Sequence, residues 1–150
     1  MWEDMLIDRQ VDDDTLRQAV AEVFTISVVA VSLVGDIEDT LDTSLDGVHI
    51  LLVRARAEGD FPLQITAYLR DEALSRRVES WTASVALVKR FAELLGCTAL
   101  IGDETVDPLA WLRIDPTGAV VPVTLDDDRL ERDEYVIARQ RTEHPAQTVV

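Results

Sequence analysis

The chain has 150 residues, enough for one ordinary domain with its own core. Hydrophobic residues make up 47% of it, which argues against wholesale disorder. Fourteen basic against 29 acidic residues leave a net charge of −15, which repels phosphate backbones and anionic bilayers and so argues against nucleic acid and membrane partners. A single cysteine, Cys97, cannot form an internal disulfide and suits a reducing cytoplasm. The opening Met1-Trp2-Glu3-Asp4-Met5 lacks a basic stretch followed by an apolar one, so no signal peptide is expected. The longest uncharged apolar run, residues 23–35, is too short to span a bilayer as a helix.

Acid is concentrated in the first half: residues 1–75 carry 16 acids and 5 bases, residues 76–150 carry 13 and 9. One cluster is Glu3, Asp4, Asp8, Asp12, Asp13 and Asp14. The other is Asp36, Glu38, Asp39, Asp42 and Asp46, with no basic residue between Gly35 and Gly47.

Leu16, Ala19, Val20, Val23 and Phe24 recur at helical spacing and predict a first helix. Asp13, Asp14 or Thr15 can cap it, Thr15-x-x-Gln18 has capping-box form, and the aspartates meet the positive end of the helix dipole. Three strand-like runs follow. Residues 26–34 are apolar almost throughout, as a central strand covered on both faces would be. Residues 48–57 lose that continuity at Arg54 and Arg56, and residues 61–69 alternate cleanly. The three read as an antiparallel meander with a long, acidic first loop. Leu74, Val78, Trp81, Val85, Val88, Phe91 and Leu95 step along a long helix, with Asp71 as its cap and Gly96 at its end. A short buried strand at 97–101 and a hairpin of 109–114 with 119–125 come next, closed by Asp115-Pro116-Thr117-Gly118. Residues 126–135 suit one short helix, and 139–150 an irregular tail. The expected class is α+β in a single domain, 1–150, with helices on one face of an antiparallel sheet, in the order α-βββ-α-βββ-(α).

Motifs for chemistry are sparse. Asp42-x-Ser44-x-Asp46-Gly47 matches the first half of an EF-hand loop, but the position of its bidentate glutamate holds Val53 and the flanks are strands, so tight calcium binding is not expected. His49 and His144 have no ligand spacing to each other or to Cys97, which leaves zinc without support. Cys97 reads as a buried thiol in preference to a nucleophile activated by His49. Six glycines never cluster into a phosphate-cradling loop. Carboxylates such as Asp103, Glu104 and Asp107 are expected at the surface of so acidic a chain, and no cofactor is called for. Trp81 lies on the helical stripe and is assigned to the core. Trp111 shares a strand face with Leu109 and Arg113, which leaves core, sheet edge and interface open, with core as the default. Trp2 is terminal, docked or exposed.

Two resemblances follow from these residues. The element order in a small acidic chain resembles type III secretion chaperones, which implies a dimer that holds a partner polypeptide in extended form. Residues 94–104 (LLGCTALIGDE) with 107–118 (DPLAWLRIDPTG) are similar in style to small bacterial immunity proteins, which neutralise toxins. The leading expectation is therefore a non-enzymatic cytoplasmic protein whose acidic surface neutralises a basic partner such as a toxin. A dimeric secretion-type chaperone is the alternative, and a small metal-dependent hydrolase the lesser one. The competing bland role of the charge is solubility. Asp36, Glu38, Asp39, Asp42 and Asp46 are the expected partner-binding residues, because their loop is longer than its strands require and is needed for no cap. Trp111 joins them as a second candidate.

Overall fold

The computed structural model describes residues 4–35 and 44–141. Helix α1, Asp13–Phe24, buries Leu16, Ala19, Val20, Val23 and Phe24, the stripe that its spacing predicts. Its cap is Asp12, one residue before those expected, and its carboxylate accepts from the Thr15 amide at 3.1 Å. Thr15 therefore lies inside the first turn, and its hydroxyl donates to Asp12 at 2.6 Å instead of opening a capping box.

The expected long second helix is two. Helix α2, Glu72–Arg76, is capped by Asp71, and helix α3, Trp81–Leu95, by Ser80, whose hydroxyl accepts from the Ala83 amide at 3.1 Å. Each cap supplies an acceptor to an otherwise orphaned amide, so Ser80 restarts the helix that stopped after Arg76. Helix α3 ends at Gly96 (φ 60°), where the Cys97 amide reaches back to the Ala92 carbonyl at 3.1 Å.

Among the described residues ten strands run in chain order as β1 (Asp4–Ile7), β2 (Val31–Val34), β3 (Ile50–Arg56), β4 (Glu58–Gly59), β5 (Leu63–Leu69), β6 (Ala99–Gly102), β7 (Ala110–Ile114), β8 (Val120–Leu125), β9 (Glu134–Tyr135) and β10 (Ile137–Gln140). Eight of them form one sheet in the order β10-β8-β7-β6-β1-β5-β3-β2, antiparallel except between β2 and β3. The fold is α+β. Strand β1, which no sequence pattern announced, joins the two halves: Met5 stands opposite Ile65 on one side and Ile101 on the other.

Several expectations are corrected here. Residues 26–34 are not one central strand, because a 3-10 turn at Val28–Ala30 precedes β2, and β2 is an edge strand running parallel to β3. Ile26, Val31 and Leu33 of this run pack with the core that α1 covers, whereas Val28 and Val29 are exposed, and the edge carbonyl of Val31 is taken by Arg17 Nε at 2.8 Å. Only Asp127–Leu130 of the expected terminal helix is helical (α4), and the chain then enters β9. The tail expected to be irregular from Arg139 begins inside β10, while residues 142–150 lie outside the described residues.

Alternation along the central strands sends their side chains to two cores. Met5, Ile7, Ile65, Ala99 and Ile101 meet α1 and α3 through Leu16, Val20, Phe24, Val88 and Phe91. Leu6, Leu100, Val123 and Leu125 face the other way, toward Phe61, Leu130 and Tyr135. The two main helices thus share one face, and the short α4–β9 segment covers part of the other. Gly59 secures that cover: at φ 95°, a Cβ on it would lie 2.7 Å from the Tyr135 nitrogen, so only glycine lets β4 pair with β9.

Candidate functional site

The N-terminus of α1 packs beside the β2–β3 edge, and the acid there is arranged around three adjoining clefts. The first, of about 670 Å³, is lined by Gln10, Asp12, Asp13, Asp14 and Arg54. The second, of about 520 Å³, takes Asp13 and Asp14 from α1 and Ser44 and Asp46 from the turn before β3. The third, of about 360 Å³, shares Asp46 with the second and adds His49, Arg70 and Asp71. Two acidic regions separated in sequence by a helix and a strand thus converge on one surface.

Its arginines are largely occupied. Arg54 pairs with Asp13 and donates to the Gln10 side chain at 3.2 Å. Arg17 spends its donors on the carbonyls of Val31 (2.8 Å) and Val28 (3.1 Å), and meets Asp14 only at 3.5 Å. Arg70 holds the carbonyls of Leu45 (2.6 Å) and Val48 (2.8 Å), which shapes the 44–49 turn. The Asp14 side chain is 81% exposed, and Asp46 is exposed and makes no ion pair among the described residues. Asp46 is left to solvent or to a ligand, and Asp14 is largely exposed with only the long contact to Arg17.

Hydrogen bonds keep the neighbouring acids charged. The Thr15 hydroxyl, followed by the Thr15 amide, holds the Asp12 carboxyl below the usual carboxylate range. The Ala73 amide does the same for Asp71, helped by His49 Nδ1 at 2.9 Å. The surface therefore presents ionised acceptors suited to guanidinium and ammonium groups.

Among the expected partner-binding residues, the structure places Asp46 on this surface. Asp36, Glu38, Asp39 and Asp42 lie outside the described residues, in a segment bounded by Gly35 and Ser44, the latter itself lining the second cleft. Trp111 is elsewhere. It belongs to the interior strand β7, not a sheet edge, and four strands separate β7 from β2, roughly 24 Å at ~4.8 Å per strand. Its ring is half-buried against Tyr135, edge to face at 5.9 Å, and its indole N–H donates to the Pro108 carbonyl at 2.8 Å. That is a packing role with its polar atom satisfied.

The other candidates have structural partners. Asp103 pairs with Arg141 at 3.0 Å, and Asp107 accepts from the Leu109 amide at 2.9 Å, so these carboxylates brace the β6–β7 loop and the end of β10. Cys97 is buried, and burial, then the charge of Asp8, pushes its thiol up to about 11. The thiolate that a nucleophile needs is scarce at neutral pH. Among the described residues no group of three or more His, Cys, Asp or Glu is placed to hold a metal ion. No helix among them is long and apolar enough to cross a membrane. Asp13 and Asp14 read from sequence as helix-dipole residues, and nothing local to them signals that Asp46 lies across the same cleft.

No protein-family model, curated protein or solved structure matches the chain.

Proposed function

We propose that this chain is a non-enzymatic acidic binding protein that neutralises a basic partner protein in the cytoplasm, in the manner of an immunity-type toxin inhibitor. The observation that carries this reading is the convergence of Asp13 and Asp14 with Asp46 on one cleft, where the neighbouring arginines are engaged by the chain itself. Asp13 is paired with Arg54 and Asp14 shares Arg17 with two carbonyls, so the acids on this cleft outnumber their counter-charges. Such an excess raises the local negative potential, and a basic partner is steered toward it at rates that fall with ionic strength. Helix caps account for Asp12 and Asp71, but Asp46 caps no helix. A basic binding surface on the partner would supply the missing counter-charge.

The test compares the wild-type chain with an Asp14→Asn, Asp46→Asn variant as baits in the native lysate. Quantitative mass spectrometry should find a basic protein enriched on the wild type and depleted on the variant. Association of that purified protein should slow in the variant and lose part of its salt dependence. Equal capture by both baits, or association indifferent to salt, removes the reading and leaves the charge as a solubilising surface.

A further inference from the structure

The turn before β3 holds the chain's sole Asp-Gly pair, Asp46-Gly47, in a sequence that contains no asparagine. Both residues are exposed, and the Asp46 carboxylate has no hydrogen bond or ion pair among the described residues. Gly47 sits at φ 75°, and a Cβ built on it would meet nothing within 4 Å, so the space around its main chain is open. The turn is closed by the Val48 amide on the Leu45 carbonyl at 3.1 Å. Arg70 Nη1 holds it from outside, donating to the carbonyls of Leu45 (2.6 Å) and Val48 (2.8 Å) on either side of the pair.

We infer that Asp46-Gly47 is a self-modification site, at which the chain rearranges to isoaspartate through a cyclic imide. The Gly47 amide nitrogen attacks Cγ of the Asp46 carboxyl group in its acid form. The new N–Cγ bond closes a five-membered ring, and the amide proton leaves with the carboxyl hydroxyl as water. Water then opens the imide. Cleavage of N–Cγ restores aspartate, whereas cleavage of the bond from nitrogen to the main-chain carbonyl carbon leaves the backbone running through the former side chain. The sum is an isomerisation that needs no oxidant and no co-reactant but water. Glycine makes this bond the susceptible one: after every other aspartate in the chain the next residue carries a Cβ beside its nitrogen. The rearranged linkage adds one carbon to the main chain between the two carbonyls that Arg70 holds, so the turn loses its register and the carboxylate is displaced from the second and third clefts. The chemistry needs only this dipeptide and water, and is independent of the binding role proposed above.

The full chain, kept folded in warm neutral buffer over weeks and then digested, should yield a chromatographically distinct peptide of unchanged mass. Electron-transfer fragmentation cuts a Cα–Cβ bond that only an isoaspartyl linkage places in the main chain, and it should assign the change to position 46. The signal should be lost in Gly47→Ala, and also in Asp46→Glu, which keeps the charge and the unstrained glycine at φ 75° but would require a six-membered imide. Asp46→Asn should reach the same imide sooner, because ammonia leaves in place of water, so binding tests on that variant use freshly purified protein. A folded wild-type chain that forms no isoaspartate at position 46 overturns the inference, and a synthetic peptide of residues 44–49 run alongside shows whether the turn is what protects the bond. Equal accumulation at aspartates followed by other residues overturns it as well, since the open glycine would then confer nothing.

Discussion

Asp14 and Asp46 line one cleft, although the first belongs to the opening turn of α1 and the second to the turn before β3. Their approach is enforced from both sides. Arg17 ties α1 to the β2 edge through the carbonyls of Val28 and Val31, and Arg70 holds the 44–49 turn through those of Leu45 and Val48. Asp46→Asn should leave the urea midpoint within experimental scatter, as it removes no cap and no ion pair. Arg70→Ala should lower the midpoint and, in a partner-binding assay, also lower affinity, because the turn that carries Asp46 loses two anchors. Loss of stability without loss of binding would detach Asp46 from the site.

Asp12 provides a pH signature. Its carboxyl is held below the usual range in the folded chain by the Thr15 hydroxyl first and the Thr15 amide second. Stability from this cap is therefore fully present above the unfolded aspartate pKa near ~3.9 and is lost as pH falls through the folded value. Asp12→Ala should lower the urea midpoint at pH 7, and the difference from wild type should shrink in acid below the carboxylate range. A difference that persists there would place the effect in packing rather than in the charged cap.

The two main helices end on the same reach-back motif with different residues. Thr25 (φ 57°) closes α1, with the Ile26 amide on the Ala21 carbonyl at 3.0 Å, and Gly96 (φ 60°) closes α3 in the same way. A β-branched residue in the left-handed region costs ~1–2 kcal/mol that glycine does not. Thr25→Gly should raise the melting temperature by about 2–4 °C and Gly96→Ala should lower it by a similar amount. The nearest atom to a Cβ on Gly96 is Arg9 Nη2 at 3.8 Å, so steric clash does not enter the comparison. Calorimetry on the two variants decides it, and shifts of the same sign would refute the backbone account.

Strand β1 should be indispensable. Leu6 is 1% exposed and packs in the second core, while Met5 and Ile7 on either side of it enter the first. Leu6→Ala should cost about 2–5 kcal/mol in chemical denaturation, the range for a large-to-small change at a sealed site. A loss below 1 kcal/mol would mean that β1 is not the seam between the halves.

Cys97, buried and shifted upward, should resist labelling by a thiol reagent at pH 8 in the native chain and react completely once denatured. Rapid labelling of the folded protein would contradict its burial at 2% exposure.

Local chemistry alone determined much of this protein. Helices α1 and α3 were legible because an apolar stripe recurs every three or four residues and cannot be satisfied any other way. The β7–β8 hairpin was legible because Asp115-Pro116-Thr117-Gly118 has turn chemistry, and Gly118 indeed takes φ 91°. The class, α+β, followed from those elements. What only the tertiary structure decided was everything that depends on a distant partner. The apolar triplet Met5-Leu6-Ile7 has no period to read, and it becomes the central strand only because β5 and β6 offer it hydrogen bonds on both sides. Residues 31–34 have the apolarity of a buried strand, yet pair in parallel at an edge because α1 covers their inner face. Trp81 keeps helical spacing, but whether its ring is sealed depends on where the β7–β8 hairpin lies. The meeting of Asp14 with Asp46 is of the same kind: charge is written residue by residue, whereas an electrostatic surface exists only after the chain has brought its segments together.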